Sequence, residues 1–141
     1  MSRVSDLVKN QEICQVTVEQ NVLDVVCIMV ERNIGAVPVM ADGQLVGVFS
    51  ERDLMRRVVA ENRDPRSTRV GEVMTPKPFV VAPTESVENC MLVMRRHGFR
   101  HLPICEGERL LGIVSLRDII LHDLSEKDDE VRMMRAYIHS S

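Results

Sequence analysis

The sequence predicts an α+β fold built from two copies of one β-α-β-β-α unit related by a pseudo-two-fold axis. Three observations carry that expectation. The stretch Gly47-Val48-Phe49-Ser50-Glu51-Arg52-Asp53 recurs as Gly112-Ile113-Val114-Ser115-Leu116-Arg117-Asp118. The two halves superpose at an offset of 65 without a gap, with Val16/Val81, Val22/Val87, Met29/Met94, Pro38/Pro103, Leu45/Leu110, Gly47/Gly112, Ser50/Ser115, Arg52/Arg117 and Asp53/Asp118 identical. Average composition would supply roughly two or three such matches, so an internal duplication is the economical explanation. Within each half, short β-rich runs alternate with amphipathic helical stripes. One such unit is too small to bury its sheet, and packing two together solves the problem.

The expected organisation is 1–62 for the first repeat with its lead-in, 63–69 for a linker, 70–124 for the second repeat and 125–141 for a C-terminal helix. Val4 to Val8 reads as a short helical turn and Val16-Thr17-Val18 as a strand. From Asn21 to Arg32, Val22, Val25, Val26 and Met29 recur at helical spacing. Gly35 to Met40 is a strand, Asp42-Gly43 a hairpin signal, and Gln44 to Phe49 the returning strand. Ser50 then caps a helix to about Ala60. Polar Glu61 to Arg69, with its Pro, has no periodicity. The cycle restarts at Val70 to Met74. Phe79-Val80-Val81 reads as a strand, and a helix begins at Thr84 or Glu85 with Val87, Cys90, Met91 and Met94 inward. His101 to Ile104 and Leu110 to Val114 form the second hairpin, Ser115 caps the next helix, and Ser125 to Ile138 forms a last one. That last segment is acidic early and basic late, as the helix dipole favours.

Composition narrows the function classes. Hydrophobic residues at 45% and charged residues at 28% describe an ordinary globular domain. A net charge of −3 gives no electrostatic reason to expect nucleic acid or an anionic membrane. Aromatic content of 3% with no Trp argues against a stacking platform for single strands. The N-terminus lacks an apolar signal region and no apolar run approaches membrane-spanning length, so the expected location is cytoplasmic. Cys14, Cys27, Cys90 and Cys105 form no C-x-x-C pair, which disfavours zinc. Cys27 and Cys90 lie on helical stripes and are expected as buried, reduced thiols.

Ser-x-x-Asp at a helix start is first a cap: the hydroxyl accepts an orphan amide and the acid faces the positive end of the dipole. The same free amides also favour a phosphate. Both readings stand on the residues alone.

Two β-α-β-β-α units, each with a mid-strand Pro (Pro38, Pro103) followed by G-h-h-S-x-x-D, resemble a tandem pair of cystathionine-β-synthase (CBS) domains. The resemblance covers about Val4 to His122. It implies a regulatory module that binds an adenosine-containing ligand in the clefts between repeats: AMP, ADP, ATP, S-adenosylmethionine or, in some stand-alone bacterial members, NAD(H). The stand-alone size and Arg-Ala-Tyr-Ile near the C-terminus look most like bacterial members that bind AMP or NADH. It also implies a homodimer, a disc of four repeats. A carboxylate accepts from both vicinal hydroxyls of a ribose, which makes Asp53 and Asp118 ribose candidates. Ser50 and Ser115 are phosphate candidates at their helix starts.

Centring the first turn on Asp42-Gly43 pairs Gly35 with Ser50 and, shifted by 65, Arg100 with Ser115. That gathers Arg100, His101, Ser115 and Asp118 at one hairpin end, an arginine fork and a titratable imidazole suited to phosphate. A similar basic pair contacts nucleotide phosphate in kinase-regulating members of the family. Arg117 is a further phosphate or partner candidate. Gly35 and Ala36 replace that basic pair in the first repeat, so unequal sites are expected, the first cleft roomier. Ile34, Val37, Phe99 and Leu102 are placed to sandwich an adenine, with core as the default for Val37 and Leu102. Thr17, whose counterpart is Ala82, is placed to reach the ligand. No catalytic arrangement, Walker loop or metal spacing is visible, so no enzyme and no catalytic cofactor are expected. The alternative is an oligomerisation or adaptor protein with vestigial clefts.

Overall fold

A computed structural model describes residues 2–140. The chain order is α1 (Ser5–Val8), β1 (Val16–Thr17), α2 (Val22–Arg32), β2 (Ala36–Ala41), β3 (Gln44–Ser50), α3 (Glu51–Asp53), a π-helical segment (Leu54–Val59), α4 (Val70–Val73), β4 (Thr75–Pro76), α5 (Val87–His97), β5 (His101–Glu106), β6 (Arg109–Ser115) and α6 (Leu116–Ser140). The architecture is α+β. One sheet has the order β1-β2-β3-β4, with β1 parallel to β2 and the remaining pairs antiparallel; the other is the β5-β6 hairpin.

Local chemistry repeats at the offset of the duplication. Asn21 and Ser86 cap α2 and α5 through their side chains, and each helix ends on a left-handed residue, Asn33 (φ 54°) and Gly98 (φ 72°). Asp42 (φ 52°) and Gly43 (φ 77°) form the first hairpin turn, the conformation that Asp-Gly favours.

The duplication is incomplete in the sheets. Val16 pairs with Val39 and Val81 bridges to Ile104 in the same parallel sense, yet the expected strand Phe79-Val80-Val81 reduces to that one bridge. In the first repeat the Val18 N–H continues the ladder to the Met40 carbonyl at 3.2 Å. Its counterpart is Pro83, which has no N–H to donate. At the opposite edge β4 pairs with Gly47 and Val48 of β3. In the second repeat the Gln11 side chain takes that role, donating to the Ile113 carbonyl and accepting from its N–H, both at 2.9 Å.

The cores interlock. Val4 and Val8, around α1, pack with Val81, Cys90, Met94, Leu102, Ile104 and Ile119 of the second repeat. Val70 and Val73 of α4 pack with Val16, Met29, Phe49 and Val58 of the first. Each lead-in turn thus completes the other repeat's core, so neither repeat is closed without its partner.

Several expectations change. Both hairpins carry a bulge: pairing runs Ala41–Gln44 and Met40–Leu45, then skips Val46 to Val39–Gly47, and the second hairpin skips Leu111 likewise. Ser50 therefore opposes Ala36, not Gly35, and Ser115 opposes His101, not Arg100. The helix after Ser50 turns from α to π at Leu54. α5 starts at Val87 because Ser86 is the cap. No new helix starts at Ser125, since α6 is continuous from Leu116. Cys27 is exposed, whereas Cys90 is buried and its thiol is pushed up to about 11 by that burial. The Glu61 to Arg69 stretch folds back on α2, with Thr68 buried and its carbonyl accepting the Val22 N–H at 2.9 Å.

Candidate functional site

The two Ser-x-x-Asp caps form alike and end up in different surroundings. In each, the Ser N–H donates to the Asp carboxylate at 3.0 Å: Ser50 to Asp53, and Ser115 to Asp118. The Asp N–H returns to the Ser hydroxyl, at 3.3 Å and 3.0 Å respectively. Asp53 is buried at 7% exposure, and every side of its carboxylate is occupied. The Ser50 hydroxyl donates to Oδ2 at 3.1 Å, the Thr75 hydroxyl donates to Oδ1 at 3.1 Å, and Arg57 lies 3.8 Å away. Asp118 is exposed and, among the described residues, holds only its cap bonds. Among the described residues, no further hydrogen bond engages its Oδ1 or is donated by the Ser115 hydroxyl. Of the paired candidates, the second repeat keeps its carboxylate open and the first consumes it.

The hairpin end places His101 directly opposite Ser115, on the same face of the sheet, because directly paired residues share a face. Arg100 is one residue outward, its carbonyl accepting the Leu116 N–H at 2.8 Å; Gly35 accepts the Glu51 N–H at 3.0 Å in the equivalent place. Arg100 and Arg117 are exposed and His101 is half-buried. Burial holds the imidazole below its ordinary value, and Arg100 pushes it the same way; the carboxylates of Glu51 and Asp118 act against them. His101 of one repeat therefore feels Glu51 of the other, at the junction where β3 and β6 meet. The Glu51 carboxylate lies over Gly35, where an added Cβ would stand 2.5 Å from Oε1. Gly35 leaves the room Glu51 occupies.

The remaining candidates separate. Val37 and Leu102 are 0% exposed and belong to the two cores, so they present no surface to a ligand. Ala36 is buried, and Ile34 is half-buried against the first core. Thr17 is exposed, with its N–H donating to Gln20 Oε1 at 2.8 Å. Phe99 is partly exposed and stacks on His97 at 5.5 Å, with Phe79 at 6.5 Å. Phe79 and His97 also line a shallow concavity of about 530 Å³ with Leu92, Arg95 and Arg96, and none of the Ser115-side residues borders it. Glu51 and Thr75 received no role from the sequence. The signal for Glu51 was present, since it stands where the aligned motif has Leu116. Thr75 comes from a two-residue strand that periodicity does not detect.

Chemically, the Ser115 side offers a helix start, a hydroxyl proton, a guanidinium and an imidazole to an anion, with an open carboxylate alongside for hydroxyls. Among the described residues no group of three or more His, Cys, Asp or Glu could hold a metal ion, and no helix is long and apolar enough to cross a membrane.

A family model described as the CBS domain matches residues 4–60 and 70–125. The CBS domain-containing protein CBSX3, mitochondrial, of Arabidopsis thaliana is 32% identical over 127 residues; the match covers 86% of this chain and 62% of that protein. The chain thus spans less than two thirds of that relative's length. Among solved structures, a protein with CBS domains from Burkholderia ambifaria superposes with a TM-score of 0.84 at 34% identity, covering 88% of this chain and 95% of that one. CBSX2 in complex with AMP superposes with a TM-score of 0.75 at 26% identity, covering 90% of this chain and 99% of that one.

Proposed function

The chain belongs to the CBS-domain family, and on that premise we propose that it is a non-catalytic sensor of an adenosine-containing ligand, bound where the two repeats meet. The observation that carries the reading is His101, paired with Ser115 and within electrostatic reach of Arg100, Asp118 and, from the other repeat, Glu51. Phosphate sits at the Ser115 helix start against Arg100 and His101, with Arg117 at the rim, and the ribose hydroxyls donate to Asp118. Exposed Phe99 and Thr17 are the adenine-side candidates left once Val37 and Leu102 are assigned to the cores. The AMP bound by CBSX2 supports this ligand class, and AMP, ATP and NAD(H) all carry the groups these residues would read. One site of this kind is proposed, on the second-repeat side, because the internal bonds of Asp53 close the first.

Signalling follows from differential affinity. A ligand that holds one arrangement of the repeats a hundredfold tighter than another shifts their balance by about 2.7 kcal/mol. A homodimer would present that change to a protein partner. The engaged state of Asp53 is also what an adaptor with vestigial clefts would show; the open carboxylate of Asp118 is what supports the sensor reading over it. The test is a thermal-shift panel of AMP, ADP, ATP, NAD⁺, NADH and S-adenosylmethionine on wild type and Asp118→Ala. A ligand at a hundred times its Kd adds about 2.7 kcal/mol and raises the midpoint. The sensor reading requires a shift that Asp118→Ala abolishes; a folded protein that responds to none of the six is the adaptor.

A further inference from the structure

We infer that the distal half of α6 pairs antiparallel with the same helix of a second copy of this chain. The family match ends at residue 125, but α6 continues without a break to Ser140. Ile119 is the last α6 residue in either core, and every residue from Leu124 to His139 is exposed. A single helix of this length is marginal in water unless an amphipathic face is packed. Such a face exists. Val131 and Met134 fall at successive heptad core positions of the distal half, one heptad on from Leu124 and Lys127. Val131 and Met134 are 44% and 64% exposed.

Charge identifies the occupant. Asp123, Glu126, Asp128, Asp129 and Glu130 fill the first part of this segment, and Arg132, Arg135 and His139 the last. An antiparallel copy lays each acidic part on the other's basic part and opposes the two helix dipoles; a parallel copy sets Asp123 near the partner's Asp128. Setting Val131 against the partner's Met134 brings Asp128 beside the partner's Arg135. Within one helix these two residues lie seven apart, about 10 Å along the axis, too far to pair. Asp128 instead meets Arg132 of its own chain at 3.4 Å, an exposed pair that contributes little.

The test is sedimentation velocity of the full chain across a concentration series, for wild type, Asp128→Arg, Arg135→Asp and the double variant, with circular dichroism confirming the fold. Each single reversal should weaken association about tenfold or more, and the double variant should recover most of the loss. A Val131→Glu variant should also weaken association, independently of the charge pair. The inference is overturned if wild type stays monomeric, if all variants associate as wild type does, or if the double variant stays as weak as the singles. The last outcome would assign α6 to a different covering surface.

Discussion

Replacing Asp53 by Ala and replacing Asp118 by Ala are the same change to the same motif, and the structure separates their consequences. At Asp53 the substitution strips the acceptor from the Ser50 N–H, the Ser50 hydroxyl and the Thr75 hydroxyl, in a place where the carboxylate is 7% exposed. Loss of a cap costs about 1 kcal/mol, and donors left unsatisfied away from water cost about 1–3 kcal/mol more. The expected total is about 2–4 kcal/mol, or roughly 6–12 °C in Tm for a domain of this size. At Asp118 only the Ser115 N–H loses a partner, and water can replace it at this exposed end. The expected cost is about 0.5–1 kcal/mol, roughly 2–3 °C. Differential scanning fluorimetry or urea unfolding without ligand measures both. Equal losses, or a larger loss for Asp118→Ala, would refute the reasoning that one carboxylate is structural and the other open.

Three further outcomes follow from the same geometry. Glu51→Gln removes a negative charge facing His101 and should tighten AMP binding several-fold while leaving adenosine unchanged, measured by calorimetry; equal changes for both would remove Glu51 from the phosphate side. Because burial holds His101 below its ordinary value of about 6.5, the unfolded chain takes up the proton first as pH falls. The ligand-free protein should therefore lose stability below about pH 6.5, and His101→Asn should remove that part of the slope, read by urea unfolding at pH 7.5 and 5.5. Gln11→Ala breaks two bonds to Ile113 and should cost about 1–2 kcal/mol; a loss below 0.3 kcal/mol would show that the Gln11 side chain is no substitute for a strand.

Much of the fold was legible because the duplication printed each signal twice. The caps at Ser50 and Ser115, the Asp42-Gly43 turn and the inward Val22, Val87, Met29 and Met94 are local features, and local chemistry determines them. Features that depend on a second segment were not legible. A skipped residue at Val46 or Leu111 does not alter the hydrophobic pattern enough to be read, yet it exchanges Arg100 for His101 opposite Ser115. The crossing of α1 and α4 between cores is invisible to periodicity, since Val4, Val8, Val70 and Val73 are apolar wherever they pack. The inequality of Asp53 and Asp118 rests on Thr75, twenty-two residues away, and no motif spans that distance. The missing continuation of the strand beyond Val81 was readable in principle, because Pro83 stands where Val18 donates.

The central claim is that one ligand touches both repeats. Hydrogen–deuterium exchange with and without saturating AMP tests it most directly, following the amides of Gly35 to Asp53 and of Arg100 to Asp118 together. A ligand seated at the junction slows exchange in both segments, and Asp118→Ala loses the protection in both. Protection confined to Arg100 to Asp118, or absent from both, would contradict a site that joins the repeats.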